Sequence, residues 1–373
     1  MEKTEKLEPL FLLIVTCQIL MGIGFALCPE SMLGGTINTT AGKLGWILCR
    51  AGGAVGFHLP LVLAAGIPLC LDERHRASSA LTSLVLYVLF TDLSSINTMR
   101  ILFPSFFAMD LNVTALQDSE SWLCAFFIAR LSMKLNEHIP SLKDIREFIP
   151  WILAVMFSGM IFTGVYLLVF IPCWKAVYHL GTMLAHGTAG EAGITTGLMR
   201  LFKPLSLDLP LREALWLKQQ GLGDWNAFID RHMPGEDPWS IGIYMSGILP
   251  CMIAGVPSSL SMIHQKGIMK NHLLLILMAF ASFLCGASDV FELCLLSVCP
   301  VLWLPYSLLF VLMGIITAYT PFRSAVAFAG GFSDFLVSQT YPAAQGAAWL
   351  PALCMIAAVL FYGCAALVLK KKR

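Results

Sequence analysis

Five long stretches without charge are the feature that most limits what this chain can fold into. A helix that spans a bilayer needs about 20 consecutive apolar residues, and each stretch reaches that length. The 373 residues are 57% hydrophobic and only 13% charged, whereas soluble domains carry about 25% charged residues. The sequence therefore predicts an all-α polytopic membrane protein. The stretches are Pro9–Pro29, Trp151–Trp174, Trp239–Met262, Leu293–Phe322 and Ala343–Leu369.

Four shorter apolar runs and one polar-rich segment raise the expected number of membrane helices to about ten. An even number puts both termini on one side, and basic residues at both ends and in the first tight loop predict that this side is the cytoplasm. We therefore expect a multi-pass protein of the cell (inner) membrane. A net charge of +1 gives no indication of a nucleic-acid partner. The runs are Ala51–Leu71, Ala77–Ile96, Ser121–Leu135 and His272–Ser288, and the segment is Leu180–Leu217.

Residues 180–237 combine glycines, prolines and charges between fully apolar flanks. Irregular backbone and charge occur at membrane depth only where they are buried in protein or line a wet cavity. Transporters use such broken helices to hold substrates, so this segment predicts re-entrant hairpins. The alternative is a loop with an amphipathic helix resting on the membrane surface, which fits Leu217–Pro238 better than Ile194–Trp216.

The stretch CGASDVFEL, residues 285–293, places Asp289 and Glu292 three residues apart in an apolar region. Acids at hydrocarbon depth usually meet a cation, a proton, a polar ligand or a water-filled cavity. Three interpretations stay open: a ligand site, an ion pair with Arg200 or Lys203, and the lining of a cavity. The twelve cysteines contain no CxxC pair and lie in apolar runs, which favours packing roles, and we expect no metal site and no cofactor.

Several blocks of the sequence, taken in order, resemble the EIIC membrane subunit of the bacterial sugar phosphotransferase system, in its glucose and N-acetylglucosamine class. Residues 51–66 are similar to the family's AGGAIFxNLPLLFAVG, and RLFKPLSLD at 200–208 is similar to RLLIPFGLHH. Residues 247–264 are similar to FFPIMMFGLPAAALAMYH, CGASDVFEL lies where the family has GITEPIEF, and residues 330–335 are similar to GLIDY. The blocks follow the family's order from about Ala51 to Phe335.

The resemblance implies the EIIC fold: a homodimer of ten-helix subunits with re-entrant hairpins. Residues 1–178 would form the scaffold and dimerisation half, residues 179–342 the substrate-carrying half, and residues 343–373 the last helix and a basic cytoplasmic tail. It also implies that a sugar is bound outside, moved inward and phosphorylated by a phosphocysteine of EIIB. Because these residues contain no EIIB or EIIA segment, we expect a separate EIIB partner.

The resemblance also implies individual site residues. Arg200 keeps the family's arginine, Asp208 stands where the family has its first histidine, Asp289 replaces the glutamate of TEP, and Glu292 keeps the second glutamate. These four residues and His264 are the predicted sugar-binding residues. Carboxylates hold polyols by hydrogen bonds and can take a proton from a reacting hydroxyl, so Asp208 and Asp289 are the predicted catalytic residues.

Three functions remain open at this point. The first is the sugar permease subunit of a phosphoenolpyruvate-dependent phosphotransferase system, for a hexose or related sugar. The second is a decayed or repurposed EIIC-like facilitator or sugar sensor that does not support phosphorylation. The third is an unrelated ion-coupled permease with glycine-broken helices.

Overall fold

A computed structural model describes residues 2–30, 36–102, 121–137, 145–217, 223–230, 241–267, 269–298 and 300–370. These residues form helices and no strand, which confirms the predicted all-α fold. The α-helices are α1 Glu2–Leu27, α2 Thr40–Gly56, α3 Leu59–Leu71, α4 Arg76–Leu93, α5 Ile96–Leu102, α6 Trp122–Glu137, α7 Ile145–Met183, α8 Ala189–Phe202, α9 Asp208–Arg212, α10 Asp224–Asp230, α11 Ile243–Ser246, α12 Ile248–Pro250, α13 Val256–Gln265, α14 His272–Cys285, α15 Asp289–Val298, α16 Trp303–Ala318, α17 Phe332–Ser338 and α18 Leu350–Lys370. Short 3-10 or π-helical turns occupy Lys203–Leu205, Glu213–Leu217, Cys251–Gly255, Pro300–Leu302 and Ala347–Trp349.

Within the described ranges, five helical segments are long and apolar enough to cross a membrane, or six if the bent pair α2 and α3 is one span. Each of the five overlaps one of the predicted uncharged stretches, so a multi-pass membrane protein is confirmed. The total of about ten membrane helices stays a prediction. The five segments are Glu5–Leu27, Ile149–Met183, Ile243–Gln265, Pro300–Ala318 and Ala347–Leu369.

The uncharged stretch Leu293–Phe322 is not one continuous helix. Helix α15 ends at Val298, a 3-10 turn begins at Pro300, and α16 starts at Trp303. Proline lacks the N–H that would continue the helix, and its ring clashes with the preceding turn. As a result, α15 has only 10 residues, about half of what a bilayer span requires, and its two acids lie at its beginning.

The helical structure of residues 180–217 is also interrupted. The long helix α7 is followed by α8, a 3-10 turn at Lys203–Leu205, the five-residue helix α9 and a π-helical turn. The predicted interruption of residues 180–217 is therefore present, whereas re-entry into the membrane stays a prediction. Most of Leu217–Pro238, the predicted surface segment, lies outside the described residues.

The chain packs as two compact units. Unit 1 consists of Met1–Phe57, Leu180–Leu201 and Ala214–Arg373, and unit 2 of His58–His179 and Phe202–Glu213. In unit 1, helix α1 packs along α2 and against α14, α15 and α17, and in unit 2 helices α3, α4 and α6 pack on one another. The predicted functional division at residues 178 and 342 stays a prediction.

Candidate functional site

Helix α8 in unit 1 carries Arg200 in its last turn, and local contacts fix its beginning. The Thr188 amide donates to Glu191 Oε2 at 3.0 Å, and the Glu191 amide donates to Thr188 Oγ1 at 3.3 Å. This reciprocal pair is the capping box that the sequence Thr-x-x-Glu encodes. The Tyr244 hydroxyl accepts from the Gly187 amide and donates to the Leu184 carbonyl, both at 2.7 Å. The position of α8 is therefore fixed at its start.

Glycines let α8 lie unusually close to α16. A Cβ on Gly193 would lie 2.6 Å from the Val311 carbonyl oxygen, and a Cβ on Gly314 would lie 2.7 Å from the Gly193 Cα. Larger residues would therefore push the two helices apart. The close approach brings the Arg200 guanidinium carbon to 5.0 Å from the centroid of the Phe310 ring, a cation–π distance.

A tight turn joins α14 to α15. Gly286 caps α14 with a φ of +72°, a left-handed conformation that favours glycine. Helix α15 then begins at Asp289, so that Asp289 and Glu292 both lie in its first turn. Negative charge is stabilised there by the helix dipole, so the two acids suit the start of this helix whether or not they contact a ligand.

Glu292 lies at the centre of a buried polar cluster, which we call the Glu292 cluster (Arg200, Ser288, Glu292 and Tyr306). Three groups donate to Glu292 Oε1: Ser288 Oγ at 2.7 Å, the Tyr306 hydroxyl at 3.0 Å and Arg200 Nη1 at 3.3 Å. The Glu292 side chain is 0% exposed and that of Arg200 10% exposed. Buried charges need such partners. Of the two predicted ion-pair partners, Arg200 and Lys203, Arg200 is the one that contacts Glu292 in this cluster.

Asp289 has a different environment. It is half-buried, and its Oδ2 accepts a hydrogen bond of 2.5 Å from Nε2 of Gln18 on α1. We call Gln18 and Asp289 the Asp289 pair. Since Asp289 is not closed off as Glu292 is, it is the more accessible of the two acids to a polar ligand.

The remaining predicted residues lie elsewhere. Asp208 is the first residue of α9 in unit 2; it is buried, and its Oδ2 lies 2.8 Å from Arg212 Nη2 one turn later. His264 lies near the exposed end of α13, with its ring centroid 4.6 Å from that of His272. Of the predicted residues, Arg200 and Glu292 therefore contact each other, whereas His264 is not part of the Glu292 cluster.

Sequence reasoning missed three residues of this site. Ser288 immediately precedes α15 and lies four residues before Glu292, a helical spacing that could have indicated the contact. Gln18 is the single side-chain amide in the uncharged stretch Pro9–Pro29, and a lone amide at membrane depth was a usable signal. Tyr306 is one aromatic among many in an apolar run, and nothing in the sequence distinguishes it.

One cavity of unit 1 does not suit a polar ligand. A small cavity beside Tyr306 has almost wholly apolar walls, among them Phe291, Leu309 and Phe361, whereas a sugar site requires convergent polar groups. In the part of the chain that the structure describes, no three His, Cys, Asp or Glu side chains are grouped as ligands of a metal ion.

Comparison with known proteins identifies relatives over most of the chain. It is 23% identical over 327 residues to the PTS system N-acetylglucosamine-specific EIICBA component of Klebsiella pneumoniae, a match that covers 84% of this chain and 48% of that protein. It is 24% identical over 300 residues to the EIICB component of the same specificity from Bacillus subtilis, covering 78% of this chain and 62% of that protein. It is 24% identical over 323 residues to the EIIC component of Streptomyces coelicolor, covering 79% and 74%. The chain thus spans about half the length of the first relative, and no family model matches it.

Proposed function

We propose, from the premise that the chain is a divergent homologue of the glucose-class EIIC proteins, that it is the sugar permease subunit of a phosphotransferase system in the cell (inner) membrane. In this role it binds N-acetylglucosamine or a related hexose and carries it across the bilayer. A separate EIIB protein with a phosphocysteine then phosphorylates the sugar. The observation that carries the proposal is the half-buried Asp289 carboxylate at the start of α15, in register with the glutamate of the family's TEP motif.

The environments of the two acids support different roles for them. A carboxylate is a hydrogen-bond acceptor only, and half-buried Asp289 can accept from sugar hydroxyls. Glu292 already accepts three hydrogen bonds at one oxygen and is closed off from solvent. We therefore assign sugar binding to Asp289, and to Glu292 and Arg200 the task of fixing the first turn of α15 against α8 and α16.

The proposal also includes an assembly and an orientation. Both termini lie in the cytoplasm, because Lys3 and Lys6 and the basic residues at the other end favour that side. The protein is a homodimer whose residues 1–178 form the scaffold, while residues 179–342 carry the sugar and residues 343–373 form the last helix and tail.

A specific observation favours a second candidate function, an EIIC-like facilitator or sensor without phosphorylation. Asp208 stands where the family has a histidine, and its carboxylate forms an ion pair of 2.8 Å with Arg212. This ion pair within α9 already occupies the carboxylate that would have to accept the proton of the sugar hydroxyl. If Asp208 does not act as the base, sugar is bound and released unchanged.

Reconstituted vesicles distinguish the two functions. The purified protein is placed in lipid vesicles and supplied with labelled N-acetylglucosamine, with or without phosphoenolpyruvate, the general phosphotransferase proteins and an N-acetylglucosamine-specific EIIB. Group translocation predicts that labelled sugar phosphate forms only in the complete mixture, and that Asp208→Asn abolishes its formation while sugar binding persists. Equilibration of unmodified sugar in both mixtures would support the facilitator, and the absence of any sugar binding would contradict both functions.

A further inference from the structure

Gln18 is the part of α1 that reaches the candidate sugar site. Its amide nitrogen donates to Asp289 Oδ2 at 2.5 Å, and the residue is only 5% exposed. A carboxylate repels an amide oxygen and accepts from an amide N–H. The contact with Asp289 therefore requires that the nitrogen of the Gln18 amide faces Asp289. The amide oxygen Oε1 therefore faces away from Asp289.

The Gln18 Oε1 atom is buried and has no hydrogen-bond partner among the described residues. Buried polar atoms in proteins are nearly always hydrogen-bonded, and an exception requires an explanation. Since Oε1 and Nε2 are attached to the same carbon, Oε1 lies within a few ångströms of Asp289, so one ligand is large enough to contact both residues. A donor group on that ligand would satisfy the atom.

The backbone around Gln18 is fixed by close packing. One turn later on the same helix, a Cβ on Gly22 would lie 2.0 Å from Cys285 Sγ, and Cys285 Sγ lies 3.9 Å from the Ile19 carbonyl oxygen. Helix α1 therefore packs directly on the end of α14, beside the turn that leads to Asp289. Gln18 is held at this turn by a rigid helix, which is the support that a specific binding residue needs.

We propose that Gln18 is a further sugar-binding residue, whose amide oxygen accepts a hydrogen bond from the sugar while its amide nitrogen holds Asp289. The inference rests on the proposed function and deepens it. Asp289 and Gln18 together present two neighbouring acceptors. They fit two neighbouring donors of a neutral sugar, either two adjacent hydroxyls or a hydroxyl beside an acetamido N–H. A ligand without such a donor pair leaves the Gln18 oxygen unsatisfied and binds more weakly.

The test is a double-mutant cycle in which one change is made in the protein and the other in the sugar. Gln18→Met keeps the side-chain length and removes both the donor and the acceptor. Equilibrium dissociation constants are measured on the purified full chain for N-acetylglucosamine and for analogues that each lack one donor. We expect Gln18→Met to weaken binding of the parent sugar by about tenfold or more. The analogue that lacks the donor for Gln18 should bind the wild type more weakly by a similar factor, and Gln18→Met should weaken its binding less than that of the parent sugar.

Two controls separate this role from a structural one. Thr16→Val changes an exposed residue of the same helix, whose hydroxyl donates to the Leu12 carbonyl at 2.8 Å, and this variant should bind every sugar as the wild type does. If Gln18→Met fails to fold, Gln18→Asn keeps the amide but withdraws it by one methylene, and the same loss of coupling is expected.

A uniform loss of affinity for every analogue would overturn the inference, because it indicates a structural effect without a sugar contact. Wild-type affinity in the folded Gln18 variants would overturn it as well. If those variants bind like the wild type while Asp289→Ala loses the sugar, the proposed function stands and the Gln18 inference fails. If the wild-type protein binds none of the sugars, the proposed function fails together with the inference.

Discussion

Asp289 and Glu292 lie one helical turn apart on α15, yet the protein surrounds them differently. Glu292 is fully buried and accepts from Arg200, Ser288 and Tyr306, whereas Asp289 is half-buried and accepts from the amide of Gln18. A carboxylate that is closed off and holds three donors at one oxygen is tied to the fold, while a half-buried one is easier for a ligand to reach. The comparison indicates that one acid of a pair at membrane depth can fix the fold and leave the other available for binding.

The largest effect is expected when the Glu292 cluster loses its acid. Glu292→Ala leaves the buried Arg200 guanidinium without its counter-charge and should lower the free energy of unfolding by about 3–5 kcal/mol. The change in the free energy of unfolding is measured by denaturing the purified wild type and variant in detergent. Glu5→Ala is the control, because its ion pair with Lys270 is 3.6 Å long and both side chains are more than half exposed, so little change is expected. Equal stabilities of the two variants would contradict a structural role for Glu292.

Removal of one donor from the same cluster tests how much each hydrogen bond contributes. Tyr306→Phe deletes the hydroxyl that lies 3.0 Å from Glu292 Oε1 and should lower the free energy of unfolding by about 1.5–3 kcal/mol, as for a hydrogen bond to a charged group. The matched control is Tyr362→Phe, since that hydroxyl donates to Gln265 in an exposed position. If the control destabilises the protein as much, burial of the cluster does not matter.

The close packing of α8 on α16 can be broken without touching an acid. Gly193→Val places methyl groups where a Cβ alone would lie 2.4 Å from Ile315 Cγ1, and overpacking of this kind costs about 1–3 kcal/mol. Gly190→Val is the control on the same helix, because a Cβ there meets nothing within 4 Å. Both variants add the same β-branched residue to a helix, so the difference in their unfolding isolates the helix contact. No difference would mean that α8 does not depend on this contact for its position.

The sequence predicted much of this fold, and the reasons are physical. The uncharged stretches are long enough that their helical nature follows from the bilayer alone. The division of Leu293–Phe322 near Pro300 was not predicted, although proline is a residue that ends helices. Asp289 and Glu292 stood out as charges in an apolar region, and Arg200 stood out by the resemblance of residues 200–208 to the family's motif. An ion pair with Arg200 was one of the alternatives that the sequence left open, but the acid that forms it could not be predicted, because contacts between residues about 90 positions apart depend on how the helices pack.

The smallest expected effect concerns the cap of α8 and depends on pH. Although burial raises the pKa of the Glu191 carboxyl, hydrogen bonds from Thr188 and His186 lower it more, so the pKa lies below its ordinary value. The cap therefore stabilises the protein above the unfolded-state pKa, near 4.3, and this contribution is lost as the pH falls through the lower folded-state pKa. At neutral pH, Thr188→Ala removes the capping hydroxyl and should lower the free energy of unfolding by about 1 kcal/mol.

Unfolding curves of wild type and Glu191→Gln across this acid range measure the pH-dependent part. The two proteins should differ at neutral pH and converge as the pH falls through the folded-state pKa of Glu191. A difference that persists at the acid end would show that the charge of Glu191 is not what stabilises the cap.

The most direct test of the division of roles is the affinity of Asp289→Ala for N-acetylglucosamine, measured at equilibrium beside its free energy of unfolding. The division predicts a dissociation constant raised by about tenfold or more, with the free energy of unfolding within about 1 kcal/mol of the wild type, because Asp289 is half-buried and is not enclosed as Glu292 is. Unchanged affinity, or a loss of stability as large as that of Glu292→Ala, would contradict the assignment of Asp289 to the sugar and Glu292 to the fold.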